Sequence, residues 1–317
     1  MKSQQKDIRD AFFDELLAVG AGDEQMIVIT NDMDVFSLRH FRQGYPERFV
    51  NIGVAEQNMI SVAAGLASCG KKVVVYGISS FVTFRCYEQI KFNVCSMRLP
   101  VVLVGVGSGL AFSFDGPSHH GMQDIAVMRA LPEMTIYNPG DTVAAAACAR
   151  LSLASPGPVF VRIDKGTFPA LHDPDGSVAE GFGILRPLCE SNIISTGYMT
   201  PRALAVADTL ADRGISVGVI DLFRLKPLPD HFVTEILARS SRLVTVEENA
   251  VTGGLGSLVG DAIIDHGLPI SLLRLGAADE QVLRYGDRDW LLSQYGLDEA
   301  SLSDRIASFL AAHERSF

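Results

Sequence analysis

Apolar, strand-like runs alternate with helix-like stretches from one end of this chain to the other, and that alternation leaves few folds open. Short runs rich in Val and Ile fall at 26–30, 72–78, 100–106, 135–137 and 159–163, separated by stretches of helical length. A strand, a helix and another strand in succession favour a parallel sheet with helices packed on its faces. Helices are expected at 8–19, after Gly53, at 84–97 and at 142–154. Periodicity breaks at 168–188, where Pro, Gly, Asp and His crowd together, as in an interdomain connection. A second series then begins, with strands at 192–195, 217–221, 243–247 and 270–275 and helices at 201–213, 255–266 and 302–312. The fold class expected is α/β, with two domains, each a mostly parallel sheet flanked by helices. They span 1–167 and 190–317, joined by a linker at 168–189.

Composition narrows the function. With 317 residues the chain is long enough to bury two cores. A formal net charge of −10 without any Lys/Arg cluster argues against a nucleic-acid surface. Residues 1–10 are polar and charged, unlike a signal peptide, and no apolar run approaches membrane-spanning length. The five cysteines (Cys69, Cys86, Cys95, Cys148, Cys189) are scattered and odd in number, which fits free thiols in the cytoplasm better than a disulfide frame.

Three stretches can carry chemistry. In Asn51–Met59, Glu56 falls in the first turn of an expected apolar helix. A carboxylate there either favours the helix dipole or is desolvated and poised for proton transfer. Phe81, Phe84 and Tyr87 recur every third residue and, on a helix, would share a face as a wall for a flat ring. Asp115-Gly116-Pro117-Ser118-His119-His120 sets a carboxylate and two imidazoles on a tight turn. It lacks a third well-placed ligand, so no metal site is expected on this chain. Neither Gly105–Gly109 nor Gly253–Gly256 has the GxGxxG spacing of a dinucleotide site, and helix-on-sheet packing accounts better for the latter.

Taken together and in order, these pieces resemble the transketolase family of thiamine-diphosphate enzymes. The Gly-Val-Ala-Glu-Gln-Asn-Met segment, the Phe-x-x-Phe-x-x-Tyr stripe, Asp-Gly-Pro-Ser-His, and Val161-Arg162 follow one another as in transketolase. Thr245–Asn249 with Gly253-Gly254 resembles the carboxyl-terminal domain of transketolase and deoxyxylulose-phosphate synthase. The resemblance implies that Glu56 holds the aminopyrimidine of thiamine diphosphate, that Phe81, Phe84 and Tyr87 line its ring, and that Asp32 also contacts the cofactor. It implies sugar contacts from Asp115, His119 and His120, with His119 catalytic beside Glu56, and a sugar phosphate on Arg162.

The family binds diphosphate and Mg²⁺ through a Gly-Asp-Gly segment, which this chain lacks. The resemblance therefore implies one subunit of a split transketolase, paired with an N-terminal subunit that supplies the magnesium ligands. An α2β2 assembly built on a β–β homodimer would transfer a two-carbon ketol unit between sugars. A deoxyxylulose-phosphate-synthase-like or 2-oxo acid decarboxylating subunit, and a non-catalytic scaffold, are the alternatives. Eight residues before Asp115 the family usually carries a phosphate-binding histidine, and deoxyxylulose synthase an arginine one residue later; here they are Gly107 and Ser108. That implies an open pocket with Arg162 as the remaining phosphate contact, and an acceptor that is unphosphorylated or carries its anion elsewhere.

Overall fold

A computed structural model describes residues 6–173 and 180–314 of the chain. The centre of the expected linker, 174–179, and the polar first five residues lie outside the described residues. Twelve strands are present among those described: β1 (Met26–Thr30), β2 (Phe49–Asn51), β3 (Lys72–Ile78), β4 (Val101–Val106), β5 (Thr135–Tyr137), β6 (Val159–Ile163), β7 (Phe182–Arg186), β8 (Ser191–Ser195), β9 (Gly218–Leu222), β10 (Arg224–Lys226), β11 (Arg242–Ala250) and β12 (Ser271–Ala277). They form a seven-stranded sheet of order β10-β5-β6-β4-β3-β1-β2 and a five-stranded sheet of order β12-β11-β8-β9-β7. Pairing is parallel except at one edge of each sheet, where β10 runs against β5 and β7 against β9. Helices flank both sheets, and the expected α/β class is the one observed.

Alternation along the strands decides which helices cover which face. On β1, β3 and β4 the side chains of Ile27, Ile29, Val73, Val75, Val101 and Leu103 point one way, toward the helix Glu56–Ser68 and the turns after Phe81. Met26, Val28, Val74, Tyr76, Val102 and Val104 point the other way, toward helices Ile8–Gly20 and Thr142–Ala154. The first of these cores runs on to Ile194 and Ile220 of the second sheet and to Phe232 and Leu255 on helices beyond it, so the two domains share buried apolar surface.

The segment expected to be a helix at 84–97 is different. It starts earlier, and π-helical turns at Phe81–Arg85 and Ile90–Cys95 bracket one α-helical turn. The expected linker also contains structure, since β7 lies within 168–189. The glycine in β7 and the breakers before it hide the strand from a periodicity reading, and only its pairing with β9 makes it one.

His172, within the expected linker, joins the domains by charge. Its ring nitrogens lie 3.1 Å from an Asp141 oxygen and 3.4 Å from an Asp221 oxygen, off the ideal hydrogen-bond directions. Asp141 caps the helix Thr142–Ala154 and also accepts the backbone N–H groups of Leu171 and His172. Asp221, on β9, is fully buried and accepts from Thr200. Burial opposes charge on His172, but the two carboxylates outweigh it and raise its pKa above the ordinary 6.5. Burial pushes Asp221 up to about 7, against His172 and Thr200. A raised imidazole pKa gives stability that is complete below 6.5 and lost as pH climbs through the folded value. The raised Asp221 acts in the same direction, costing stability as pH rises from 3.8 toward about 7. The unfolding temperature of the wild type should thus fall, as pH rises above 6.5, by more than that of His172→Asn. Each kcal/mol of the difference corresponds to on the order of 2–4 °C. Parallel curves for the two proteins would show that His172 carries no charge in the fold.

Candidate active site

The crevice that matters lies at the carboxyl ends of β1, β3 and β4. From β1 the chain passes outward to β2 on one side, then returns to β3 on the other. Loops leaving neighbouring strands on opposite courses open a cleft there, the usual ligand position in α/β sheets. Asn31 follows β1, Ser79 and Ser80 follow β3, and Gly107 follows β4.

Glu56 is the first residue of the helix Glu56–Ser68, and its side chain is 1% exposed. Asn31 donates to one carboxylate oxygen at 2.9 Å, and Arg85 donates to the other at 2.7 Å. The cover is thin, because Arg85 itself is 46% exposed and its guanidinium lies 4.5 Å from the centre of the Phe81 ring. Burial alone would raise the Glu56 pKa. Its own backbone N–H, Arg85 and Asn31 outweigh burial and hold it below the ordinary glutamate value. The free chain therefore presents an ionised carboxylate. Arg85 is a site residue that the sequence reading passed over, although a lone cation inside an aromatic stripe was a visible signal.

The π-helical turns separate the three aromatics instead of lining them up, since a wider turn moves residues three apart off a common face. Phe81 touches the His119 ring, with centroids 5.0 Å apart. Phe84 is 38% exposed beside Arg85, and Tyr87 packs against the core. Asp32 sits exposed at the rim with φ +69°, hydrogen-bonded to Asn51 through both its backbone N–H and its side chain.

The loop from Ser108 to Gly121 carries the next group. Its two ends meet as a bridge between Ser108 and Gly121, and Ser80 donates to the Ser118 carbonyl at 2.8 Å. Asp115 is exposed, while His119 is half-buried with Ser118 3.0 Å from its Nδ1. His120 corrects the expectation of a sugar contact: it is 3% exposed, folded under the loop, with burial lowering its pKa.

Arg162 is the larger correction. Rather than awaiting a phosphate, it is 2% exposed and its donors are used inside the protein. Its Nε binds Asp124 at 2.9 Å, and one terminal nitrogen donates to the carbonyls of Gly121 (2.9 Å) and Glu248 (3.1 Å). The space expected at Gly107 is not open either. At φ +89°, a Cβ on Gly107 would lie 2.0 Å from the Phe112 ring, so Phe112 fills the place that a larger side chain at 107 would take. Ser108 is buried and donates to Asp164, which is also held by Arg288. In the second domain, Glu247 accepts the N–H groups of Leu255 and Gly256, which closes the Gly253–Gly256 turn onto the sheet.

Comparison with known proteins accords with this geometry. Residues 4–170 match the transketolase pyrimidine-binding domain, and residues 183–302 match the transketolase C-terminal domain. The chain belongs to the transketolase family. It is 35% identical, over 95% of both chains, to a Methanocaldococcus jannaschii protein described provisionally as a transketolase C-terminal section. It is 31% identical to one of the subunits of an apulose-4-phosphate transketolase from Actinobacillus succinogenes, over 92% of this chain and 94% of that one. A 1-deoxy-D-xylulose-5-phosphate synthase of Thermomicrobium roseum is 35% identical, and this chain spans 49% of its length. Among solved structures, one described as a split-gene transketolase, inactive β4 tetramer, aligns with a TM-score of 0.86 and 30% identity, covering 95% of this chain and 97% of that one.

Arg85→Met removes the cation that opposes burial at Glu56. The Glu56 carboxyl should then titrate at higher pH, followed by its ¹³C shift in selectively labelled protein. A titration that stays in place would mean that Arg85 does not set the charge of Glu56.

Proposed function

We propose that this chain is the second subunit of a split transketolase, transferring a two-carbon ketol unit from a ketose to an aldehyde. Thiamine diphosphate would bind where this chain meets an N-terminal subunit that brings the diphosphate and Mg²⁺ ligands. The observation that carries the reading is Glu56: a buried carboxylate at the sheet's switch point, beside apolar groups that the described residues leave exposed. Val54 is 71% exposed and Phe84 38%, on either side of Glu56 and Arg85.

These residues fit the aminopyrimidine end of the cofactor. A ring nitrogen can share a proton with the Glu56 carboxylate, and the flat ring has Phe84 to lie against. The other end does not fit this chain: among the described residues no group of three or more His, Cys, Asp or Glu could hold a metal ion. When bound, thiamine diphosphate supplies the nucleophilic carbon that carries the ketol unit. Glu56 then holds the proton at the pyrimidine nitrogen, and His119, 5.0 Å from Phe81, and Asp115 orient the sugar hydroxyls. No helix among the described residues is long and apolar enough to cross a membrane, and all five cysteines are free thiols. We place the assembly in the cytoplasm.

Phe92, 55% exposed, and Phe114, 69% exposed, add apolar surface on the same domain. Surface of this kind favours pairing, here with a second copy and with the N-terminal subunit in an α2β2 assembly. The neighbour described as an inactive β4 tetramer supports self-association of such a chain.

The purified chain should show no ketol transfer, and adding the N-terminal subunit should restore it. In the reconstituted pair Glu56→Gln should fold normally and lose about 10²–10⁴-fold in kcat, because an amide cannot exchange the proton. Release of CO₂ from a 2-oxo acid without ketol transfer would favour the deoxyxylulose-synthase type. Near-normal turnover by Glu56→Gln would remove Glu56 from the chemistry.

A further inference from the structure

The loop that carries Asp115 and His119 leans on the second domain at its ends and again at its middle. Leu110 and Met122, beside the two ends, belong to the same buried cluster as Ile193, Val244 and Leu291 of the second domain. Between them the backbone makes two successive turns. The Asp115 N–H donates to the Phe112 carbonyl at 2.9 Å, and the His119 N–H donates to the Gly116 carbonyl at 2.9 Å. Gly116 joins the two turns at φ +78°, a region that favours glycine. It is the hinge that sets Asp115 and His119 relative to each other.

Tyr285 of the second domain closes against that hinge. A Cβ on Gly116 would lie 2.7 Å from the Tyr285 hydroxyl oxygen and 2.8 and 2.9 Å from Cε1 and Cζ, so the phenol end fills the space a side chain would need. The segment 278–287 that carries Tyr285 contains neither helix nor strand, yet it is anchored on both sides. Before Tyr285, Val282 is buried in the second domain's core, and Arg284 donates to Gln294. After it, Asp287 caps the helix Arg288–Gln294, and Arg288 is bound to Asp164 and Glu248. Tyr285 itself is 63% exposed. Its burial therefore adds little to the stability of the fold, while its contact lies on the turn between two site residues.

We infer, resting on the transketolase reading above, that Tyr285 is a positioning residue through which the second domain takes part in sugar binding. Its ring edge, pressed on the Gly116 hinge, fixes the angle at which Asp115 and His119 face the hydroxyls of the sugar. A carboxylate and an imidazole on separate turns meet neighbouring hydroxyls together only while the hinge between them is held. The ring supplies that support and the hydroxyl is dispensable, so phenylalanine serves in its place. Glu56 stands on another element, and the cofactor's affinity does not depend on Tyr285.

The test compares Tyr285→Ala and Tyr285→Phe with the wild type in two ways. In the chain reconstituted with its N-terminal subunit, D-xylulose 5-phosphate and D-fructose serve as ketol donors and D-glyceraldehyde as acceptor. Tyr285→Ala should lower kcat/KM for the donor by about ten- to a hundredfold, while Tyr285→Phe keeps most of it and both leave the affinity for thiamine diphosphate unchanged. The second readout needs neither turnover nor a partner. In the purified chain, amide hydrogen exchange across 112–121 should quicken in Tyr285→Ala and not in Tyr285→Phe, with the helix Glu56–Ser68 exchanging as in the wild type. If the wild-type pair transfers no ketol unit from either donor, the transketolase reading fails, and the exchange rates still decide whether Tyr285 holds the hinge. The inference is overturned if Tyr285→Ala keeps its kcat/KM in an active pair, or if Tyr285→Phe is as impaired as Tyr285→Ala. Exchange that is unchanged across 112–121, or that quickens throughout the chain with loss of cofactor affinity, would overturn it as well.

Discussion

Two buried guanidinium groups hold the site loop at its two ends, and the rest of the arrangement follows from that. Arg162 takes the Gly121 carbonyl at 2.9 Å, where the loop closes, and Arg288 reaches the Ser108 carbonyl at 3.4 Å, where it opens. Both also reach Glu248 on β11, Arg162 through its carbonyl and Arg288 through its carboxylate. The first domain's loop is thus pinned against the second domain's sheet. Breaking a buried charge pair of this kind typically costs about 3–5 kcal/mol, because the partner is left uncompensated. Asp115 and His119 stand on a loop whose two ends are both tied to the second domain.

That use of arginine has a chemical consequence. Arg162 and Arg288, spent on the fold, are not available to a ligand at that end of the cleft. At the other end the balance is reversed: Arg85 is largely exposed and holds Glu56 ionised from the open side of the cleft. A ring nitrogen placed against Glu56 would have to share that carboxylate with Arg85 and Asn31. The site is therefore poised for a ligand at Glu56.

Much of this was legible in the sequence. The α/β alternation pointed to the class and the central strands, because parallel strands buried on both faces read as near-continuous Val/Ile runs of strand length. The Glu56 segment and Asp115–His120 stood out as polar groups where apolar or turn residues were expected. What stayed hidden depends on pairing and packing. β7 and β10 are short edge strands defined by their neighbours, and the π-helical turns that part Phe81, Phe84 and Tyr87 have no propensity signal. The burial of Arg162 was hidden for another reason: Asp124 lies 38 residues away and Glu248 86 away, and no local pattern relates them. Gly107 looked like a deletion of side chain until Phe112, five residues on, proved to fill the gap.

The central claim is that this chain holds the pyrimidine half of a cofactor site and depends on a second chain for the other half. Calorimetric titration with thiamine diphosphate and Mg²⁺ addresses it directly, first on the chain alone and then with the N-terminal subunit present. The expected result is weak binding by the isolated chain, which leaves the diphosphate charge uncompensated, and tight binding by the pair. Tight, Mg²⁺-dependent binding by the isolated chain would contradict the account.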